Sequence, residues 1–195
     1  SKRVAEEREL KLAVMTFDPH HSIVLGKRNE KVFYITPLEQ KLDLLQSMGV
    51  DTTFVVRFTS DFAQLTPENF VDTFIRQLNV KHVTAGYDFT FVSCGKGNME
   101  IMKELAQNDF HVSVVEKKSA DSEKISSTRI RQALTLGNME NVLELLGRPF
   151  QIPGVVVNGD KRGRTIGFPT ANIQAKEGFY IPATGVYAVR MLVQD

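Results

Sequence analysis

Thr36-Pro37-Leu38-Glu39, then Leu42, Leu45, Met48 and Gly49, then the run Thr53–Phe58, make up the stretch whose reading decides the fold. The first four residues form a capping box, with a hydroxyl at the N-cap, proline at N1 and glutamate at N3 reaching back. Leu42, Leu45 and Met48 recur at helical spacing, and Gly49 stops the helix. The run that follows is β-branched and aromatic, the composition of a strand. Upstream, Leu12–Phe17 has the same character. Downstream, Thr66-Pro67-Glu68 opens a second helix that carries Phe70, Phe74, Ile75 and Leu78 before Asn79 ends it. Val80–Ala85 and His111–Val115 are further strands, and Met99–Gln107, Thr128–Leu136 and Met139–Leu146 further helices. Strand and helix alternate, which predicts an α/β domain: a doubly wound parallel sheet with helices on both faces. Ser1–Lys11 reads as a polar helix with no strand before it, whereas a doubly wound domain normally opens on a strand.

Of the 195 residues, 42% are hydrophobic and 24% charged, which excludes the disordered and fibrous classes. No apolar run approaches the roughly eighteen residues a membrane span needs. Lysine and arginine total 24 against 23 acids, a net charge of +1, so a nucleic-acid binder's basic footprint is missing. Cys94 is the single cysteine and can form no disulfide within this sequence, and no signal peptide is expected. The expected setting is reducing and cytoplasmic.

Composition changes near residue 147. Residues 147–195 hold seven of the 13 glycines and four of the seven prolines in a quarter of the chain. Gly147-Arg148-Pro149 and Pro153-Gly154 mark a linker, and Val155–Val157 and Val186–Val193 read as strands of a second, all-β domain. The expected domains are therefore 1–147 and 153–195. The second is too short to bury a sound core alone, so the chain is expected to end inside it.

Ile125-Ser126-Ser127-Thr128-Arg129-Ile130-Arg131 is the strongest candidate site, because a strand and loop give way there to a helix. Three hydroxyls beside free backbone N–H groups and the positive end of the macrodipole suit phosphate. Helical side chains lean toward the N-terminus, so Arg131 reaches back toward Thr128. An ordinary serine cap followed by a solvated arginine is the commoner outcome of such a composition. Two guanidinium groups in the first turn nonetheless call for an anion. Phe17-Asp18-Pro19-His20-His21 follows the first strand, at the crevice edge where open α/β sheets bind ligands, or is a plain Asp-Pro turn. Gly86-Tyr87-Asp88-Phe89-Thr90-Phe91 follows the third, as a clasp for a planar ring or a loop with buried phenylalanines. Gly95–Glu100 starts like a dinucleotide fingerprint but lacks its third glycine and is rejected. His82 and His111 read as core or edge histidines. In the second domain, Gly159, Gly163 and Gly167 alternate with Lys161, Arg162 and Arg164, a composition for phosphate or for a flexible basic hairpin. Thr170 and Asn172, two residues apart on an extended chain, share a face and so could ligate one Mg²⁺ together with phosphate oxygens.

Together these segments resemble the bacterial bifunctional riboflavin kinase/FAD synthetase family, in the order Thr16–His20, Gly86–Phe91, Ile125–Arg131 and Gly163–Asn172. Ser-Ser-Thr-x-Ile-Arg occurs across the wider nucleotidyltransferase superfamily, while Gly-Phe-Pro-Thr-Ala-Asn is specific to riboflavin kinases. The resemblance implies a nucleotidyltransferase domain that transfers AMP from ATP to FMN, giving FAD and pyrophosphate. It also implies a small β-barrel that phosphorylates riboflavin to FMN. Ser126, Ser127 and Thr128 would bind the ATP phosphates and Arg131 would assist adenylyl transfer. Asp18, Asp88 and Phe89 would hold flavin or nucleotide, Gly163 to Gly167 would form the kinase's phosphate loop, and Thr170 and Asn172 would sit at Mg-ATP. His21 stands where the family usually has proline. The family's Gly-x-Phe-Asp-Gly-x-His-x-Gly-His element is expected before Ser1 and its kinase glutamate after Asp195, so the chain reads as an internal section of a longer enzyme. Another adenylyl- or cytidylyltransferase, or a non-catalytic flavin- or nucleotide-binding module, is the alternative; a transport role is disfavoured for want of a spanning segment.

Overall fold

A computed structural model describes residues 1–19, 23–24, 33–92, 97–116, 119–120, 123–159 and 162–193. They fall into two compact units, one of residues 1–32 and 38–118, the other of residues 33–37 and 119–195.

The first unit begins with the polar helix α1 (Lys2–Glu7), which buries nothing. β1 (Ala13–Asp18) and β2 (Thr52–Arg57) run parallel, with Asp18 opposite Arg57, and α2 (Leu38–Ser47) lies between them in the chain. The pairing starts where the Leu12 N–H donates to Asp51 Oδ2 at 2.7 Å. Thr59 caps the short helix α3 (Ser60–Ala63) and Thr66 caps α4 (Pro67–Val71), each hydroxyl accepting from the backbone N–H three residues on. The helix expected from Thr66 to Asn79 is not uniform: Asp72–Arg76 widens into a π-helical turn. Arg76 leaves that turn with its Nε 2.8 Å from Asp109 Oδ2, Nη1 2.5 Å from Asp72 Oδ1 and Nη2 2.7 Å from the Leu105 carbonyl. β3 (His82–Gly86), α5 (Met99–Ala106) and β4 (His111–Val115) follow, and β3 pairs parallel with β4, His82 opposite His111.

Both strand pairs supply one core. Met15, Phe17 and Val56 from the first pair, and Val83, Ala85, Val112 and Val114 from the second, pack on Phe62, Phe70, Val71, Met99, Met102 and Phe110. Phe62 sits with its ring centroid 5.3 Å from Phe17 and 5.5 Å from Phe58 and Phe74. The unit is thus a mixed α/β fold with short parallel sheets, and it leaves Asp18 and Gly86 at the carboxyl ends of their strands.

In the second unit a two-residue ladder, β5 (Ser119–Ala120) with β6 (Glu123–Lys124), precedes α6 (Ser127–Leu136) and α7 (Met139–Leu146). Gly137 and Gly147 end these helices in the left-handed conformation, at φ 70° and 65°. Their apolar stripes bury Ile130, Ala133, Leu134, Val142 and Leu145 with Ile35. Residues 33–37 are held here by backbone bonds, Tyr34 N–H to the Gly178 carbonyl at 2.7 Å and Tyr180 N–H to the Tyr34 carbonyl at 3.0 Å. Arg148 adds a third, Nη2 donating to Thr36 Oγ1 at 2.8 Å, and burial pushes its guanidinium pKa below the ordinary value. β7 (Gly154–Val157) and β8 (Asn172–Ala175) form an antiparallel pair, and their connection contains one helical turn, α8 (Arg162–Thr165). The strand expected over Val186–Val193 is not formed. Its alternation is strand-like, but no described segment offers it a ladder, and a strand without a partner leaves its backbone groups unpaired.

Candidate active site

The N-terminus of α6 is built as the sequence suggests. Ser126 is the N-cap, and its hydroxyl accepts from the Arg129 N–H at 3.3 Å, so this hydroxyl has the ordinary capping duty. Ser127 and Thr128 stand exposed in the first turn, which contains no acid to offset the macrodipole. Arg131 is half-buried and its guanidinium makes no hydrogen bond or ion pair among the described residues. With Thr128, Gln132, Thr135, Leu136 and Tyr180 it lines a cavity of about 550 Å³. The Thr135 hydroxyl donates to the Arg131 carbonyl at 2.9 Å, which leaves the Tyr180 hydroxyl to donate to Thr135 Oγ1 at 2.7 Å. Tyr180 is a wall that sequence reasoning missed. Thr135 was findable, since it lies seven residues beyond Thr128 on the same helical face, but Tyr180 arrives from 45 residues away.

The connection between β7 and β8 is closed by glycines. A Cβ at Gly163 would lie 2.1 Å from the Phe168 carbonyl oxygen, and one at Gly159 would lie 2.0 Å from Asn172 Nδ2. The Phe168 N–H donates back to the Gly163 carbonyl at 2.8 Å, and Gly167 takes φ 81°. Thr170 and Asn172 are both exposed, Asn172 as the first residue of β8. Their oxygens are hard, neutral donors. They suit a Mg²⁺ that arrives with phosphate oxygens rather than one held by protein alone. Among the described residues no group of three or more His, Cys, Asp or Glu could hold a metal.

Asp18, Asp88 and Phe89 belong to the first unit. Asp18 ends β1, half-buried, with its carbonyl accepting from the Phe58 N–H at 3.1 Å. Asp88 is exposed in the turn after β3, while Phe89 stacks on Phe91 at 5.8 Å and packs on the core. His20, His21 and Gly95–Lys96 lie outside the described residues. His82 and His111 face each other across the β3–β4 pair, ring centroids 6.0 Å apart, with His82 Nε2 2.8 Å from Ser113 Oγ. Burial, with smaller contributions from the charges of Arg8, His111 and the amino terminus, holds the His82 pKa below its ordinary value.

Among the described residues no helix is long and apolar enough to cross a membrane. The FAD synthetase family model matches residues 1–129 and the riboflavin kinase model residues 146–195. The chain is 48% identical to the bifunctional riboflavin kinase/FMN adenylyltransferase of Listeria monocytogenes, over 99% of this chain and 62% of that protein. It is 47% identical to the protein of the same name from Bacillus subtilis, over 97% and 60%. A crystal structure titled macrolide-efflux protein, from Streptococcus pneumoniae, superimposes with a TM-score of 0.88 at 38% identity, covering 95% of this chain and 60% of that one. The chain thus spans about three fifths of the length of the curated relatives it matches. The two family matches fall in the same order along the chain as the Ser-Ser-Thr-x-Ile-Arg and Gly-Phe-Pro-Thr-Ala-Asn motifs, and the chain belongs to the FAD synthetase family.

Proposed function

We propose that the protein makes FAD, by transfer of an adenylyl group from ATP to FMN in its N-terminal module. A riboflavin kinase module, set off at residues 147–153 and completed as a β-barrel in the whole protein, supplies the FMN. In the first reaction a phosphate oxygen of FMN attacks the α-phosphorus of ATP. The new P–O bond forms as the bond to the β-phosphate oxygen breaks, and pyrophosphate leaves. The protein's part is positioning and charge stabilisation. Ser127 and Thr128, with the free N–H groups of α6, receive phosphate oxygens, and Ser126 keeps the turn in shape by capping it. Arg131 meets the negative charge that builds on the phosphates. Asp18 and the Asp88–Phe89 turn hold the flavin or the nucleotide. In the kinase module the Gly163–Gly167 loop takes the ATP phosphates, and Thr170 and Asn172 would hold Mg²⁺ among them. When bound, that ion neutralises phosphate charge. The proposed partners are small molecules in a cytoplasmic setting, with neither nucleic acid nor membrane involved.

The observation that carries this reading is Arg131, a guanidinium without a partner among the described residues, lining a cavity beside a helix start that contains no acid. The test is FAD formation from FMN and Mg-ATP, followed by chromatography, with this chain and with a version extended at its N-terminus. FAD from either supports adenylyl transfer. Tight flavin binding with no FAD from both would leave a binding module instead.

A further inference from the structure

Lys41 is the fourth residue of α2, and its Nζ donates to Thr16 Oγ1 on β1 at 3.1 Å, in a half-buried contact across 25 residues of sequence. Thr16 and Asp18 stand two apart on the strand and so share a face, which places the ammonium at the carboxyl end of β1. No ion pair to Lys41 occurs among the described residues, Asp18 included. A single neutral hydroxyl is poor compensation for the hydration such a cation loses. The start of a helix also disfavours positive charge. An ammonium with two donors to spare among the described residues, at the strand end where open α/β sheets receive ligands, suits an anion with several acceptor oxygens.

We infer that Lys41 binds a phosphoryl oxygen of a substrate, in a position preset by its bond to Thr16. The inference rests on the adenylyl-transfer reading, and the phosphoryl group belongs to ATP or to FMN. Thr16 is the positioning residue: its hydroxyl directs the ammonium and touches no substrate.

Lys41→Met keeps the aliphatic stem and removes the charge, so packing is nearly conserved. Lys41→Arg restores a cation, and thermal melts show whether each variant folds. Equilibrium binding of ATP against adenosine, and of FMN against lumiflavin, separates the phosphate from the ring. The expected result is a roughly ten- to hundredfold weaker affinity of Lys41→Met for one phosphorylated ligand, with its phosphate-free analogue unaffected. Partial rescue by Lys41→Arg and a weaker dependence on salt accompany it. Loss in the ATP pair assigns the contact to ATP; loss in the FMN pair assigns it to FMN. Equal loss for ligand and analogue, or no loss, overturns the inference while leaving adenylyl transfer intact. Failure of both this chain and its N-terminally extended version, each unaltered at Lys41, to bind either phosphorylated ligand overturns both.

Discussion

Arg131 and Ser126 lie five residues apart and should fail in different ways. Arg131→Ala removes a guanidinium that stabilises nothing among the described residues, so the melting temperature should hardly change. Adenylyl transfer by an active extended chain should fall about 10²–10³-fold in kcat, the usual effect of deleting one transition-state donor. Ser126→Ala should instead cost about 1 kcal/mol of stability through loss of the cap, read from denaturant unfolding. Both residues were legible in the sequence because capping and macrodipole effects act within one turn of helix. Lys41 and Tyr180 were not, since each is defined by a hydroxyl that the fold brings from 25 and 45 residues away. Phe89 and Phe91 stand two apart in the sequence, and their rings stack 5.8 Å apart in the loop where buried phenylalanines were one of the two readings.

At the level of elements, the strand–helix alternation was readable because each helix carries its own start signal and each strand its own apolar run. β1 to β4 lie within two residues of their expected limits, and α7 matches its own. The π-helical turn at Asp72–Arg76 was not readable, because the groups that hold Arg76 are Asp109 and the Leu105 carbonyl, supplied by a later part of the chain. The β3–β4 pair gives the pH prediction. His82 in the folded chain resists protonation, whereas the unfolded chain takes the proton at an ordinary pKa of about 6.5. The unfolded state therefore binds more protons over the interval just below that value, and stability rises with pH across it and levels off above. His82→Asn should flatten this part of the curve, measured as the urea midpoint at about pH 5.5 and 7.5. An unchanged slope would place the titration elsewhere.

Across the whole molecule, glycine and proline put a change of character near residue 147, whereas the compact units divide between residues 118 and 119, with residues 33–37 joining the second. The strand expected at Val186–Val193 has no ladder among the described residues, and strand propensity alone says nothing about whether a partner exists. There Val186, Val189, Leu192 and Val193 are exposed to 103%, 75%, 91% and 74%. This chain should accordingly bind a hydrophobic dye and scatter light increasingly with concentration, and Val189→Lys with Leu192→Lys should reduce both. Undiminished dye binding by the double variant would place the sticky surface elsewhere. The attachment of residues 33–37 to the second unit also bears on synthesis. Tyr34 leaves the ribosome well before the Gly178 and Tyr180 groups it bonds, which follow about 145 residues later, and Arg148 follows Thr36 by 112. A nascent chain can bury Phe62 and Phe70 while this short segment still waits, unclaimed, between two elements of the first unit. Closing this part of the fold therefore waits for residues made long after the segment they tie down.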